Sequence, residues 1–374
     1  MQIYTSSCPD PGRESGEDTF YLDIETTGLD RKRTILYLIG CCYVRESTRY
    51  HIQWFNNDAV SEEAMLYELR DLLGQRAWKI VTFNGDSFDL PYLRDHFLMN
   101  ECDCDLSSYP SVDYFRILRP FSPLFGLEHS RQKDWEQFLG IHREDRYSGR
   151  QLIRVYKEYL QTHSEDALRL LLLHNLEDVR GLQTLKPLMA YPALWKGDFH
   201  LEEVSLDKLN GEEAAVFRCR LLSPVPVPVA VKTKESSLIA EGRSFTLTLP
   251  LIRDDLKYYY SNYKDYFYLP LEDRAIHKSV GAYVDRAHRV KAKPSTCYIR
   301  KEGAYLPAPL PRRKYGFPIS DLPDLSTSHH VFRKEYTDRR WYIAWEDFSA
   351  EDGQWIKDYL IGMINEISVE CLKE

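Results

Sequence analysis

Three strand-like runs follow one another before the first helix signal, and that order limits what this chain can become. Residues 19–29, 35–44 and 50–55 are rich in apolar and β-branched residues. "ILYLIGCCYV" is continuously apolar, as a strand buried on both faces would be, and "RYHIQWF" alternates with a period near two. "SEEAMLYELRDLLGQ" then reads as a helix with Ser61 as N-cap and acids in its first turn. "KIVTFN" reads as a short strand ending in the turn residues Asn84-Gly85. Helical spacing dominates "FDLPYLRDHFLMN", "WEQFLGI", "GRQLIRVYKEYLQT" and "EDALRLLLLHNLEDVRGLQTLKPLMAY", the last stopping near Pro192. Strands first, then strand–helix alternation, specify an α/β module of about 200 residues.

A length of 374 residues exceeds one ordinary core and implies a second domain. The texture changes accordingly. "PVPVPVAVK" cannot be a central strand, because alternate residues lack an amide donor, so it reads as an extended or edge segment. "SSLIAEGRSFTLTLPLI" suggests a hairpin turning at its glycine, and "EDRAIHKSVGAYVDRAHRVKA" a helix weakened by Gly281. "YLPAPLPRRKYGFP" reads as a loop and "EDGQWIKDYLIGMINEI" as an amphipathic helix. The expected organisation is an N-terminal extension over 1–17, an α/β domain over 18–195, and a smaller α+β or mostly-β domain over 196–374.

Charge divides the same way. Residues 1–217 hold 24 Lys+Arg against 36 Asp+Glu, whereas residues 218–345 hold 23 against 13. A basic module beside an acidic one attracts polyanions despite the overall net charge of −8. No run of 18 apolar residues is present, which argues against a membrane-spanning helix. The first residues lack the basic and apolar regions of a signal peptide. The eight scattered cysteines form no CxxC pair, and a reducing, cytoplasmic setting is expected.

The candidate chemistry begins in "FYLDIETTGLD". Asp23 and Glu25 are two apart on a strand and share a face, either as tolerated surface acids or as the start of a metal site, since two close carboxylates repel unless a cation joins them. Gly28 then permits a sharp exit. In "VTFNGDSFDLPYL", Asp89 sits where a helix begins, a position the macrodipole alone would justify. In "LLLLHNLEDVRGL", His174 and Asp178 are four apart on one helix face behind a leucine run, with a solvated Asp beside a hydrogen-bonded His as the alternative to a metal ligand.

These three motifs in this order resemble the DEDD-type exonucleases of the ribonuclease H-like superfamily, nearest the YprB-like branch. "VDYFRIL" and "WEQFLGIHREDRYSGRQLIRVYKEYL" agree more weakly, and the resemblance spans roughly residues 18–190. It implies a mixed central sheet flanked by helices and a site for two divalent cations, Mg²⁺ or Mn²⁺. Asp23 would bridge both, Glu25 and Asp178 would hold one, and Asp89 would support the other. The family carries either a Tyr four residues before the last Asp or a His five before it. Here His174 stands four before, with the spacing of one class and the chemistry of the other.

The activity so implied is hydrolysis of phosphodiester bonds in DNA or RNA, single-stranded or with a free 3′ end, from 3′ to 5′. Thr26, Thr27, Asn84 and Phe88 are candidates for the terminal nucleotide, with ordinary turn and core packing as the alternative. Tyrosines of "YYYSNYKDYFY" beside Lys257 and Lys264 could stack on bases, or could be core. The runs "RAHRVKAK" and "PRRKYG" read as solvated charge. Two other functions stay open: a catalytically weak nucleic-acid-binding scaffold, and a structure-specific endonuclease.

Overall fold

The computed structural model describes residues 1–10, 18–209, 211–309, 330–348 and 353–373. The chain divides into two compact units, Met1–Ser122 with Gly126–Met189, and Pro123–Phe125 with Ala190–Glu374.

The strands of the first unit are β1 (Gln2–Pro9), β2 (Thr19–Thr26), β3 (Leu36–Arg45), β4 (Thr48–Phe55), β5 (Lys79–Thr82) and β6 (Ser111–Asp113). Its helices are α1 (Glu62–Leu73), α2 (Asp89–Met99), α3 (Tyr114–Leu118), α4 (Gln132–Phe138), α5 (Gly149–Thr162) and α6 (Glu165–Thr184). The strands form one mixed sheet in the order β1-β4-β3-β2-β5-β6. Pairing is antiparallel from β1 to β2 and parallel from β2 to β6. Residues 2–9, assigned from sequence to an extension, are the edge strand β1, paired from Gln2↔Phe55 to Pro9↔Thr48. "QIYTSSCP" is almost wholly exposed, so no apolar pattern announces it.

Both faces of the sheet are covered. Phe20, Leu22 and Ile24 pack with Met65 and Leu69 of α1 and Tyr92 and Leu93 of α2. Tyr37 and Phe55 pack on the other face with Leu152 and Tyr156 of α5 and Leu171 of α6. Side chains alternate along β2, so Asp23 and Glu25 project away from the α1–α2 core. The Ser164 hydroxyl caps α6 by accepting from Ala167 N–H at 3.4 Å. The helix ends at Thr184, well before Pro192, because a helix through Pro187 would set its ring against the Gln183 carbonyl.

The second unit contains α7 (Ala190–Trp195), β7 (Phe199–Leu209), β8 (Glu212–Lys232), β9 (Ser237–Pro250), β10 (Ile252–Tyr259), β11 (Tyr266–Leu269) and β12 (Arg274–His277). It continues with α8 (Lys278–Gly281), β13 (Val290–Lys291), β14 (Tyr298–Ala308), β15 (Val331–Arg333), β16 (Trp341–Ala344) and α9 (Gly353–Cys371). A three-stranded sheet β7-β8-β9, a small closed barrel β10-β14-β16-β15 and a three-stranded sheet β12-β11-β13 make it mostly β. The C-terminal amphipathic segment is α9, burying Ile356, Tyr359, Leu360 and Ile364.

Several expectations change here. The proline-rich stretch continues β8, but past Phe199↔Leu221 only β9 pairs with it, and the register breaks at Val225 and Val229. It is an edge, as its missing amides require. The suspected hairpin at Gly242 is instead one strand, β9, passing through Gly242 at φ 53° opposite Val225. The turn lies earlier, where Thr233 N–H donates to the Ser236 carbonyl at 2.9 Å. The suspected helix over 272–292 is β12 followed by the four-residue α8, since Gly281 and β-branched neighbours do not sustain a longer one. Tyr305–Ala308 of the expected loop belong to β14, while "PRRKYG" lies outside the described residues. Among the described residues no helix is long and apolar enough to cross a membrane.

Candidate metal centre

β2 outruns its parallel neighbour. Pairing with β5 ends at Tyr21↔Val81, so the next turns of β2 face the chain that leaves β5 for α2. Asn84 turns that chain at φ 66°, a conformation asparagine tolerates. Asp113, at the end of β6, fixes the loop by accepting from Asn84 N–H at 2.8 Å and Asp86 N–H at 3.2 Å. It also caps α3 by accepting from Phe115 N–H. The loop thereby delivers Asp89, whose Oδ1 accepts from the Ile24 amide at 3.2 Å. That amide lies beyond the last β5 partner, and Asp89 replaces the missing strand.

α6 supplies the opposite wall. In the row of cross-strand partners Asp23, Gly40 and Gln53, a Cβ on Gly40 would lie 2.0 Å from Asn175 Oδ1. The bare backbone there lets Asn175 reach the sheet, where it donates to Asp23 Oδ2 at 2.8 Å and accepts from Gln53 Nε2 at 2.9 Å. Tyr37 donates to Glu25 Oε2 at 3.3 Å. His174 Nε2 stands 3.3 Å from Glu25 Oε1 and 3.2 Å from Asp178 Oδ2. Its Nδ1 lies 2.7 Å from Asp145 Oδ2, which also pairs with Lys133 Nζ at 2.7 Å. With Nδ1–H donating to Asp145, Nε2 is the nitrogen turned to the carboxylates.

Asp178 has a second neighbour that sequence reasoning missed. Arg143, nearly buried, contacts Asp178 Oδ1 and grips both oxygens of Glu136. Gln132 of α4 donates to Glu136 Oε1 at 3.0 Å and to the Asp178 carbonyl at 2.8 Å. α6 can approach this pair only through Gly181, whose Cβ would lie 2.0 Å from Glu136 Oε1.

Electrostatics report the crowding. Burial, then Asp178, Glu25 and Asp89, push the Asp23 carboxyl well above its usual range, against the amide of Asn175. Burial raises Glu25 to about 7, with His174 opposing and Asp178 adding to the rise. Burial raises Asp89 to about 7 against the Ile24 amide, with Asp113 and Asp178 contributing. Like charges in a poorly solvated space call for a cation. Glu25, His174 and Asp178 offer ligand atoms within 4.8 Å of one another. A donor set of carboxylate oxygens with one imidazole suits a hard divalent ion such as Mg²⁺ or Mn²⁺.

The other sequence candidates have local engagements. Thr26 Oγ1 donates to the Gly28 carbonyl at 2.7 Å, and Thr27 Oγ1 accepts from Ile35 N–H at 2.9 Å. Phe88 packs at the start of α2, 5.6 Å from the Tyr92 ring. Lys257 is not open to a ligand: it is buried, pairs with Glu335 at 2.6 Å and lies over Tyr298. Lys264 is exposed in a 3₁₀ turn.

Residues 20–190, somewhat under half of the chain, match the family model described as RNase_H superfamily. The mixed sheet with helices on both faces is accordingly a ribonuclease H-like α/β fold, joined to a second unit of further sheets. No curated protein matches the chain. Similar solved structures include an exonuclease I at 13% identity and TM-score 0.32, covering 60% of this chain and 55% of that one. They also include the zinc-bound E. coli exonuclease I–ssDNA complex, at 12% identity and TM-score 0.29, covering 55% of each chain. The family B DNA polymerase of Pyrobaculum calidifontis is similar at 12% identity and TM-score 0.40, over 95% of this chain and 46% of that one. The chain spans about half the length of these structures.

Proposed function

We propose that this protein is a metal-dependent nuclease, a DEDD-type 3′-to-5′ exonuclease of the YprB-like branch, acting on DNA or RNA. One observation carries the reading: Asp23 and Glu25 of β2, Asp89 of α2 and Asp178 of α6 meet in a single small space, where burial and then the Asp178 and Asp89 charges push the Asp23 and Glu25 carboxyls up. Asp23, Glu25, Asp89 and Asp178 would hold two divalent cations, Mg²⁺ or Mn²⁺. When bound, these supply charge neutralisation at the cleaved phosphodiester and make water a nucleophile near neutral pH.

The protein's part is orientation and proton handling. Asn175 fixes one oxygen of Asp23, Ile24 N–H fixes Asp89, and the Tyr37 hydroxyl fixes Glu25. Arg143 occupies one oxygen of Asp178 and leaves the other toward His174. Asp145, itself anchored by Lys133, holds the His174 ring so that Nε2 can take a proton from the attacking water. Four residues before Asp178, His174 sits one helical turn away, so the spacing suffices for this role.

The test is degradation of end-labelled single- and double-stranded DNA and RNA in Mg²⁺ or Mn²⁺. Asp23→Ala is expected to abolish it, and activity surviving that change could not come from this site. Blocking the 3′ end should stop cleavage, whereas continued cutting would show endonuclease action. The hold of Arg143 on Asp178 favours a second reading, a binding scaffold with little catalysis. Binding that persists in EDTA without turnover in any metal would select it.

A further inference from the structure

We propose that the segment from α8 to β13 in the second unit is a separate binding site for single-stranded nucleic acid, with Tyr283 as its stacking platform. From the nuclease reading the proposal takes only the ligand class.

The segment is held firmly from beneath. Gly281 lies so close to β11 and β12 that a Cβ would sit 2.8 Å from Phe267 Cδ2 and 3.1 Å from Ile276. Arg289 lies over the Phe267 ring at 4.6 Å and donates to the Gly281 carbonyl. Successive amides close the turn, Ala282 N–H to Lys278 O at 2.9 Å and Tyr283 N–H to Val280 O at 3.1 Å. On this anchored turn Tyr283 is 92% exposed and Val280 57%. An aromatic ring so displayed contributes nothing to the core, and both its faces are open.

Charge surrounds it. Lys278, Arg286, Lys291 and Lys293 are exposed, and among the described residues none lies within 4.0 Å of a carboxylate. Several other cations of the unit are paired, as in Arg218–Glu203, Arg253–Glu213, Arg300–Asp273 and Lys334–Asp254. Asp285 is the sole acid between 278 and 293, against five Lys and Arg side chains, and its Oδ1 accepts from Ala287 N–H at 3.0 Å. Unpaired cations supply affinity for a phosphate backbone, and an open ring takes a base only when that base is unstacked from a partner strand. The combination favours a single strand over a duplex.

The experiment uses the full chain carrying Asp23→Ala, in EDTA, with fluorescein-labelled oligo-dT of about twenty nucleotides, followed by anisotropy. Tyr283→Ala is expected to weaken binding about ten-fold, and Tyr283→Phe to preserve it. Lys291→Ala with Lys293→Ala should lower the slope of log affinity against log salt by ~1.4. Equal losses on a duplex of the same length, unchanged binding in both variants, or no binding at low salt would each overturn the proposal. Hydrolysis by the chain with native Asp23 is read separately. Cleavage with Tyr283-independent binding leaves the nuclease standing without this site. Tyr283-dependent binding without cleavage leaves the site standing without the nuclease.

Discussion

Replacing Asp89 by Asn removes one charge from a buried, mutually repelling set while keeping an oxygen for the Ile24 amide. Burial, together with Asp113 and Asp178, lifts this carboxyl from its ordinary 3.8 to about 7. The folded protein therefore retains a proton that the unfolded chain loses, across the window between those values. Stability falls as pH rises through the window, and above pH 7 the full cost is present, ~4 kcal/mol at 1.36 kcal/mol for each tenfold change in proton affinity. Because Asp23 and Glu25 share the strain, the expected gain from Asp89→Asn at pH 8 is ~2–4 kcal/mol. It should shrink toward zero as pH falls from 7 to 4. The assay is the apparent urea midpoint by tryptophan fluorescence in EDTA across that range, with an unchanged slope. Mn²⁺ at pH 8 should raise the midpoint of the parent and raise that of Asp89→Asn much less. A gain equal at pH 5 and pH 8, or a loss at pH 8, would refute the claim that charge crowding strains this site.

Gly40→Ala forces Asn175 off Asp23 and Gln53, and should cost ~1–3 kcal/mol in the same urea assay. Combined with Asn175→Ala, its effect should be much less than additive. Arg143→Ala leaves Glu136 buried beside Asp178 without its cation, and ~3–5 kcal/mol should be lost, part of it restored by adding Glu136→Gln. Asp145→Asn lets an amide face His174 Nδ1 and reverses the ring's tautomer; turnover of single strands should fall about a hundred-fold with little change in KM.

Much of the first unit was legible from local signals. β2 and β3 announced themselves through apolar runs, β4 through alternation, and α5 and α6 through helical spacing. Asp23 and Glu25 stood out as two carboxylates on one face of an apolar strand, and Asp89 and Asp178 joined them through the order of motifs that resembles the DEDD-type exonucleases. β1 escaped notice because an edge strand satisfied by backbone pairing needs no apolar pattern. The second unit was poorly legible, since its short strands owe their pairing to partners far along the chain, as β10 does to β14 and β15.

The strands and helices that carry the acidic cluster were thus written in the sequence, because periodicity is a local property, and the order of the acidic motifs was legible through the resemblance. What surrounds the cluster was decided only in three dimensions. Asn175 reaches Asp23 because Gly40, far away in sequence, has no side chain, and Arg143 reaches Asp178 because Gly181 admits Glu136 beside α6. Lys257 looked like a substrate-binding residue until folding brought Glu335 to it, whereas Tyr283 looked unremarkable until folding left it outside. Pairing and exposure depend on what the rest of the chain brings within a few ångströms, and no local pattern carries that information.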